Sequence, residues 1–329
     1  MARSVHARMY MLKPASILAA AVVATACRSS RELTIDPVDS AGGTAVRDVA
    51  PVGHVEALED PESVRYDPQQ DVYFISNMLG YGSLKDGAGY ITRVQAGDLT
   101  QSSVFAESGR NGVMLNAPKG MAIVGDTLWV ADIDAVRGFD RRTGKPVGQV
   151  DFTPFHVTML NDVGAGPGGT IRVTDTGVLM SDKGVLYKGG DRVFEMDGHR
   201  HVRVIAAGPQ LGRPNGVTWD AASRRWLMVN FSPFGSALSA FTQDSGGARE
   251  VLVDGPGKYD GVEALADGRV LYTCWNDSSV HVYANGVDHQ LIRNLPTPAD
   301  LGFDTKRNRV AVPLSGPGRV EVWALRSAR

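Results

Sequence analysis

At 329 residues, 43% hydrophobic and 21% charged, the chain has the composition of a soluble globular protein with a substantial core, not of a disordered one. Its formal charge is -2, from 34 basic and 36 acidic residues, and a mildly acidic body lacks the basic face that a nucleic-acid partner would need. Only Cys27 and Cys274 are present, so no disulfide framework holds the body together.

The first 26 residues read as a targeting segment. Arg3, Arg8 and Lys13 form a positive leader, Ala15 to Ala26 is a short apolar stretch, and Ala24-Thr25-Ala26 sets small residues before Cys27. The stretch is too short to span a bilayer as a helix. The pattern looks like a bacterial lipoprotein signal, with Cys27 as the lipidated first residue of the mature chain. An ordinary secretory signal with Cys27 incidental is the alternative, and Met9 or Met11 could also open the chain. Either way the mature protein is expected in the cell envelope, anchored to membrane by lipid or secreted. Removal of the leader leaves 31 basic against 36 acidic residues, a charge of -5. Residues 27–55, with Arg28-Ser29-Ser30-Arg31 and Asp39-Ser40-Ala41-Gly42-Gly43, have the composition of a flexible tether.

From residue 56 onward the pattern changes to short β-type runs broken by Gly, Pro, Asp and Asn. A unit recurs six times, opening at Glu62-Ser63-Val64, Lys119-Gly120-Met121, Asn161-Asp162-Val163, Asn215-Gly216-Val217, Asp260-Gly261-Val262 and Ala299-Asp300-Leu301. Each opening leads through a turn, such as Asp67-Pro68, Gly125-Asp126 or Asp267-Gly268, into a β-run such as Val72-Tyr73-Phe74-Ile75, Thr127-Leu128-Trp129-Val130 or Val270-Leu271-Tyr272-Thr273. Asp197-Gly198 between Arg192–Glu195 and His201–Val204 adds a hairpin signal. Six units of four antiparallel strands predict an all-β, six-bladed propeller over residues 56–329, with Arg319-Val320-Glu321-Val322-Trp323 ending the ring. The opening residue of each blade then faces one central channel. Four of the six openings carry oxygen ligands: Glu62, Asn161, Asn215 and Asp260.

Pro61-Glu62 with Tyr66-Asp67-Pro68, Asn161-Asp162, Pro214-Asn215-Gly216 and Asp260-Gly261, in that order at successive blade starts, resemble the senescence-marker-protein and gluconolactonase (regucalcin-like) family, related to the paraoxonases and diisopropyl fluorophosphatase. The resemblance implies a divalent metal in the channel, commonly calcium, held by Glu62, Asn215 and Asp260, with Asn161 as a fourth ligand or substrate contact. Two carboxylates and two amide oxygens suit a hard cation, which favours Ca²⁺ over Mg²⁺, Mn²⁺ or Zn²⁺. The resemblance further implies hydrolysis of a lactone or ester, with Asp260 activating water or attacking directly and Glu62 as a structural ligand.

The chain departs from that family where Ser63-Val64 follows Glu62 and where Lys119 opens the second blade. The Lys119 ammonium could bind a substrate carboxylate or phosphate, or stand in for the metal. Asn and Asp before Gly also serve tight turns, so the quartet by itself admits turn chemistry. A non-catalytic envelope propeller that binds a ligand or protein is therefore the rival function. A quinone-dependent dehydrogenase would need an Arg and His cradle that is not evident. Gly164-Ala165-Gly166-Pro167-Gly168-Gly169 leads into a strand, so a blade turn explains it better than dinucleotide binding, and no Gly-x-Ser-x-Gly elbow occurs. His156, just before the third opening, is a candidate proton shuttle or substrate contact. Cys274 reads as a buried thiol and His281 as a strand position without chemistry. The stretch holding Gly80, Tyr81, Lys85 and Asp86 and the run Phe231-Ser232-Pro233-Phe234 are candidate specificity loops.

Overall fold

The computed structural model describes residues 48–241 and 248–326. The expected leader 1–26, Cys27 and the tether up to residue 47 lie outside them. Six four-stranded antiparallel sheets form a six-bladed β-propeller. Five blades are continuous in sequence: 61–107, 118–151, 160–207, 214–255 and 259–292. The innermost strand of each begins at an opening triplet: Pro61–Asp67, Pro118–Val124, Leu160–Ala165, Pro214–Asp220 and Tyr259–Ala264.

The sixth blade corrects the domain boundary expected from composition. Its three C-terminal strands, Gly302–Asp304, Arg309–Leu314 and Arg319–Arg326, are completed by Asp48–Val55 as the outer strand. This segment, assigned above to the tether, pairs antiparallel with the last strand from Asp48 opposite Arg326 to Val55 opposite Val320. The run from Val49 to Val55 carries enough apolar residues to cover one face, and the register slips between Pro51 and Gly53. Proline has no N–H to give, and an outer strand with a bulge is where a sheet tolerates it.

Twisted sheets stacked around an axis bury both faces, so the strands read as apolar runs rather than strict alternations. All six residues of Val72–Asn77 are buried. The core is divided among the blade interfaces. Phe74 and Ile91 of the first blade pack on Met121 and Leu128 of the second, Trp129 on Leu160 and Phe194, Val193 on Trp226, Val229 on Tyr259, Leu271 on Val310 and Val320 on Val64. Burial of these side chains at about 25 cal/mol per Å² is the main force closing the ring.

The axis is too narrow for six side chains at the second opening position. Glycine fills three of the six: a Cβ on Gly120 would lie 2.0 Å from Asp162 Oδ1, one on Gly216 2.5 Å from the Asp260 carbonyl oxygen, and one on Gly261 2.5 Å from Asp300 Cα. The other three positions carry Ser63, Asp162 and Asp300. Ser63 Oγ donates to Asp300 Oδ2 at 2.6 Å, and Asp162 accepts from the Val217 amide at 2.7 Å. Gly120→Ala should therefore lower stability by about 3 kcal/mol in denaturant unfolding; an unchanged midpoint would show that the axis can relax.

Candidate functional site

The opening residues sit where the inner and second strands slip register. The irregularities fall between Pro61 and Ser63, Pro118 and Met121, Leu160 and Val163, Pro214 and Val217, and Tyr259 and Val262. A bulge re-aims a side chain out of the ladder, and each of these slips spans an opening residue. Hydroxyls on the second strands hold three of them. Ser76 Oγ accepts from the Ser63 amide at 2.9 Å, Thr174 Oγ1 from Asp162 at 3.0 Å and Thr273 Oγ1 from Gly261 at 2.9 Å. Thr174 also donates to the Asn215 carbonyl at 2.7 Å, tying the third opening to the fourth. The sequence reading missed these positioning hydroxyls, although Ser76, Thr174 and Thr273 recur late in the second strands of alternate blades, the first, third and fifth.

One cavity of about 270 Å³ collects the openings. Glu62, Lys119, Asn161, Asn215, Asp260 and Ala299 all line it. The first five are buried, and the four predicted ligands share one anomaly. Glu62 Oε2, Asn161 Oδ1, Asn215 Oδ1 and Asp260 Oδ1 are buried without a hydrogen-bond donor. An unsatisfied buried acceptor costs on the order of 1–3 kcal/mol, and turn chemistry would have bonded these oxygens locally. Four in one pocket, two from carboxylates and two from amides, fit the donor set of a hard cation. Lys119 is almost fully buried and donates to the Ala117 carbonyl at 2.8 Å.

The electrostatics agree. Burial pushes the Asp260 carboxyl up to about 7 and Asp162 up to about 6. Burial, with the charges of Asp260 and Asp300 next, holds Glu62 well above the usual carboxylate range. Burial also brings the Lys119 ammonium down to about 8 against the pull of Glu62 and Asp132. Arg65 answers chiefly to Glu263, at 2.8 Å. Between the ordinary carboxylate range and about 7, the folded chain keeps protons that the unfolded chain has released, so stability falls as pH rises through that window. Chelator-treated protein should melt lower at pH 8 than at pH 5.5, and added calcium should restore more at pH 8. A melting temperature flat across that range would contradict the buried acidic floor.

His156 is not brought to the site. It ends the short turn Thr153–Phe155 in left-handed backbone, is exposed, and is absent from the cavity wall. Of the candidate loops, Gly80, Tyr81 and Phe231 line the cavity, whereas Lys85 pairs with Asp134 and Phe234 is exposed. The hairpin Val178–Ser181 and Gly184–Tyr187, inserted in the third blade, forms another wall and was not anticipated. Trp275 lines the cavity, and Arg213 stacks on Tyr187 at 4.5 Å. Cys274 is buried and its thiol pushed up to about 12 by burial, an inert group. His281 is more engaged than a bare strand position, held between Asp277 at 2.8 Å and Asp288 at 2.9 Å.

The SMP-30/Gluconolactonase/LRE-like region matches residues 61–302, from the first inner strand to the sixth blade and across all four oxygen ligands. The chain belongs to this family. Solved structures support the fold at low identity. A gluconolactonase from Xanthomonas campestris is 16% identical, with 88% of this chain and 99% of that one covered at a TM-score of 0.61. The calcium-binding protein regucalcin from Agrobacterium tumefaciens is 15% identical, with 85% and 96% covered at 0.59. Virginiamycin B lyase from Staphylococcus aureus is 10% identical, with 85% and 100% covered at 0.58. A comparison with curated proteins gives no significant match. The breadth of chemistry among these neighbours means that activity must be argued from the site.

Proposed function

We propose that this SMP-30/gluconolactonase-family propeller is a metal-dependent hydrolase of a lactone or ester. The observation that carries the proposal is the convergence of four unsatisfied buried oxygens on one cavity floor. Glu62, Asn161, Asn215 and Asp260 would hold the cation, and their hard oxygens favour Ca²⁺. Such a cation supplies an electrophilic centre for the substrate carbonyl. Asp260 takes the proton of the attacking water, or attacks the carbonyl itself. Addition of water at the carbonyl carbon and loss of the alkoxide oxygen, which takes back the proton held by Asp260, convert a lactone to a hydroxy acid, or an ester to acid and alcohol. Where Asp260 attacks, the alkoxide leaves with a proton from water and a second step, water cleaving the acyl-Asp260 anhydride, releases the acid. Asn161 and Lys119 orient the substrate; the amide donates through its nitrogen, and the ammonium favours negative charge on the acyl oxygen. The hydroxyls of Thr174 and Thr273 act by positioning. Thr273→Val should weaken metal affinity by about 10–100-fold, as loss of supporting contacts does elsewhere, without loss of cooperative melting. Calcium titration followed by melting checks this.

The placement of Lys119 on the same floor favours one rival, a binding propeller in which its ammonium is the positive centre. Elemental mass spectrometry of purified residues 28–329 separates the two. About one calcium per chain, with melting lowered by chelation, supports the hydrolase. No metal and no thermal response to calcium supports the binding module. We further propose that Cys27 carries a lipid that ties the propeller to the bacterial envelope; a Cys27→Ala change that leaves the protein membrane-bound would contradict it.

A further inference from the structure

The geometry points to a lactone or ester with a flexible apolar tail as the substrate class, an inference that rests on the hydrolase proposal and concerns the same cavity. Above the polar floor the walls are apolar. The thioethers of Met78, Met159 and Met180 enter from three elements, Val178 and Val185 come from the inserted hairpin, and Phe231 and Trp275 meet edge to face at 5.2 Å. A Cβ on Gly82 would lie 3.3 Å from Met180 Sδ, 3.5 Å from Met78 Sδ and 3.4 Å from Lys119 Cε. Two soft sulfurs and the lysine stem therefore close over one point of the loop. Methionine adapts its shape to an unbranched chain better than any other apolar residue.

Most of the polar groups of the wall are already spent, the exception being the buried indole N–H of Trp275. Thr176 donates to the Pro214 carbonyl at 2.9 Å, Thr297 Oγ1 accepts from the Gly316 amide at 2.9 Å and Ser315 donates to the Thr297 carbonyl at 3.4 Å. Asp60 Oδ2 accepts from the Gly80 amide at 3.0 Å. A polyhydroxylated ring would strip water from several hydroxyls and find few partners for them here, which costs binding at each. An alkyl substituent loses nothing and covers the methionines. At about 270 Å³ the cavity lies just below the ~300–1,000 Å³ of drug-sized sites, so the substrate is a small ring with one tail.

The test compares γ-decalactone, γ-butyrolactone and D-glucono-1,5-lactone with the protein as purified, reading hydrolysis by pH-stat and binding by tryptophan fluorescence. The kcat/KM for γ-decalactone should exceed that for γ-butyrolactone, which has the same ring without the tail, by about 100-fold. Val185→Asp, at an exposed hairpin position where folding is not at stake, should cut that ratio about 10-fold. Hydrolysis of the glucono- or butyrolactone as fast as γ-decalactone overturns the apolar class and leaves the hydrolase standing, as does an unchanged ratio in Val185→Asp. Saturable binding of γ-decalactone with none of the three hydrolysed keeps the apolar site and sinks the hydrolase. Absence of γ-decalactone binding overturns the inference whatever is hydrolysed.

Discussion

Asp260→Ala should lower lactone or ester turnover by at least about 1,000-fold and release the metal, while the chain still melts in one cooperative transition. Two losses combine, the group that takes the proton from water, commonly worth about 100–10,000-fold, and one of two carboxylate ligands. The stability result separates a ligand from a structural acid. Asp260 is buried, unpaired at Oδ1 and pushed up to about 7 by its surroundings, so without metal its ionised form destabilises the fold. Chelator-treated Asp260→Ala should therefore melt no lower than chelator-treated wild type at pH 8, whereas calcium should stabilise only the wild type. At a free calcium concentration 100 times the dissociation constant, that stabilisation is about 2.7 kcal/mol. Equal calcium stabilisation of both proteins would remove Asp260 from the ligand set.

Deleting residues 1–56 should abolish cooperative folding, whereas deleting only 1–47 should leave the melting temperature unchanged. Asp48–Val55 is the outer strand of the blade that also holds the C-terminus. Its loss strips the partner from Arg319–Arg326 along the whole register and uncovers an unpaired edge beside a buried core. Val55 is buried against Val320 and Tyr66, and Val49 packs near Leu325. The shorter protein also loses the N-terminal strand that pairs directly with the C-terminal one. The cost should be about 5 kcal/mol or more, comparable to the whole stability of many domains. Circular dichroism with a melting scan decides it; a cooperative transition in the protein starting at residue 57 would show that a three-stranded sixth blade suffices.

Family membership and the low-identity neighbours constrain the fold far more than the chemistry. The proposed chemistry rests on the quartet. Its oxygens lie on four different blades, separated by 45 residues (Asn215 to Asp260) to 198 residues (Glu62 to Asp260) in a chain of 329, and only ring closure brings them to one floor. The same closure explains why Lys119, on the remaining charged opening, is buried instead of solvated. Its stem packs against the loop at Gly82 and its Nζ is held by Ala117.

The recurrence of opening triplet, turn and β-run was legible because each blade repeats the same local physics. An inner strand must begin at the channel, a turn must follow, and the next run must bury both faces. That periodicity alone determined the six-bladed ring and set Glu62, Asn161, Asn215 and Asp260 at four of its openings. Local pattern could not assign Asp48–Val55, since an outer strand interrupted by Pro51 and Gly53 looks like linker until its partner at Arg319–Arg326 is known. Nor could it place His156, whose left-handed turn carries it to the surface, or the wall hairpin Val178–Tyr187, whose apolar residues resemble any strand pair. Those were decided by tertiary structure, because pairing across 265 to 278 residues and the meeting of loops over a channel depend on closure of the ring and not on neighbours in the chain.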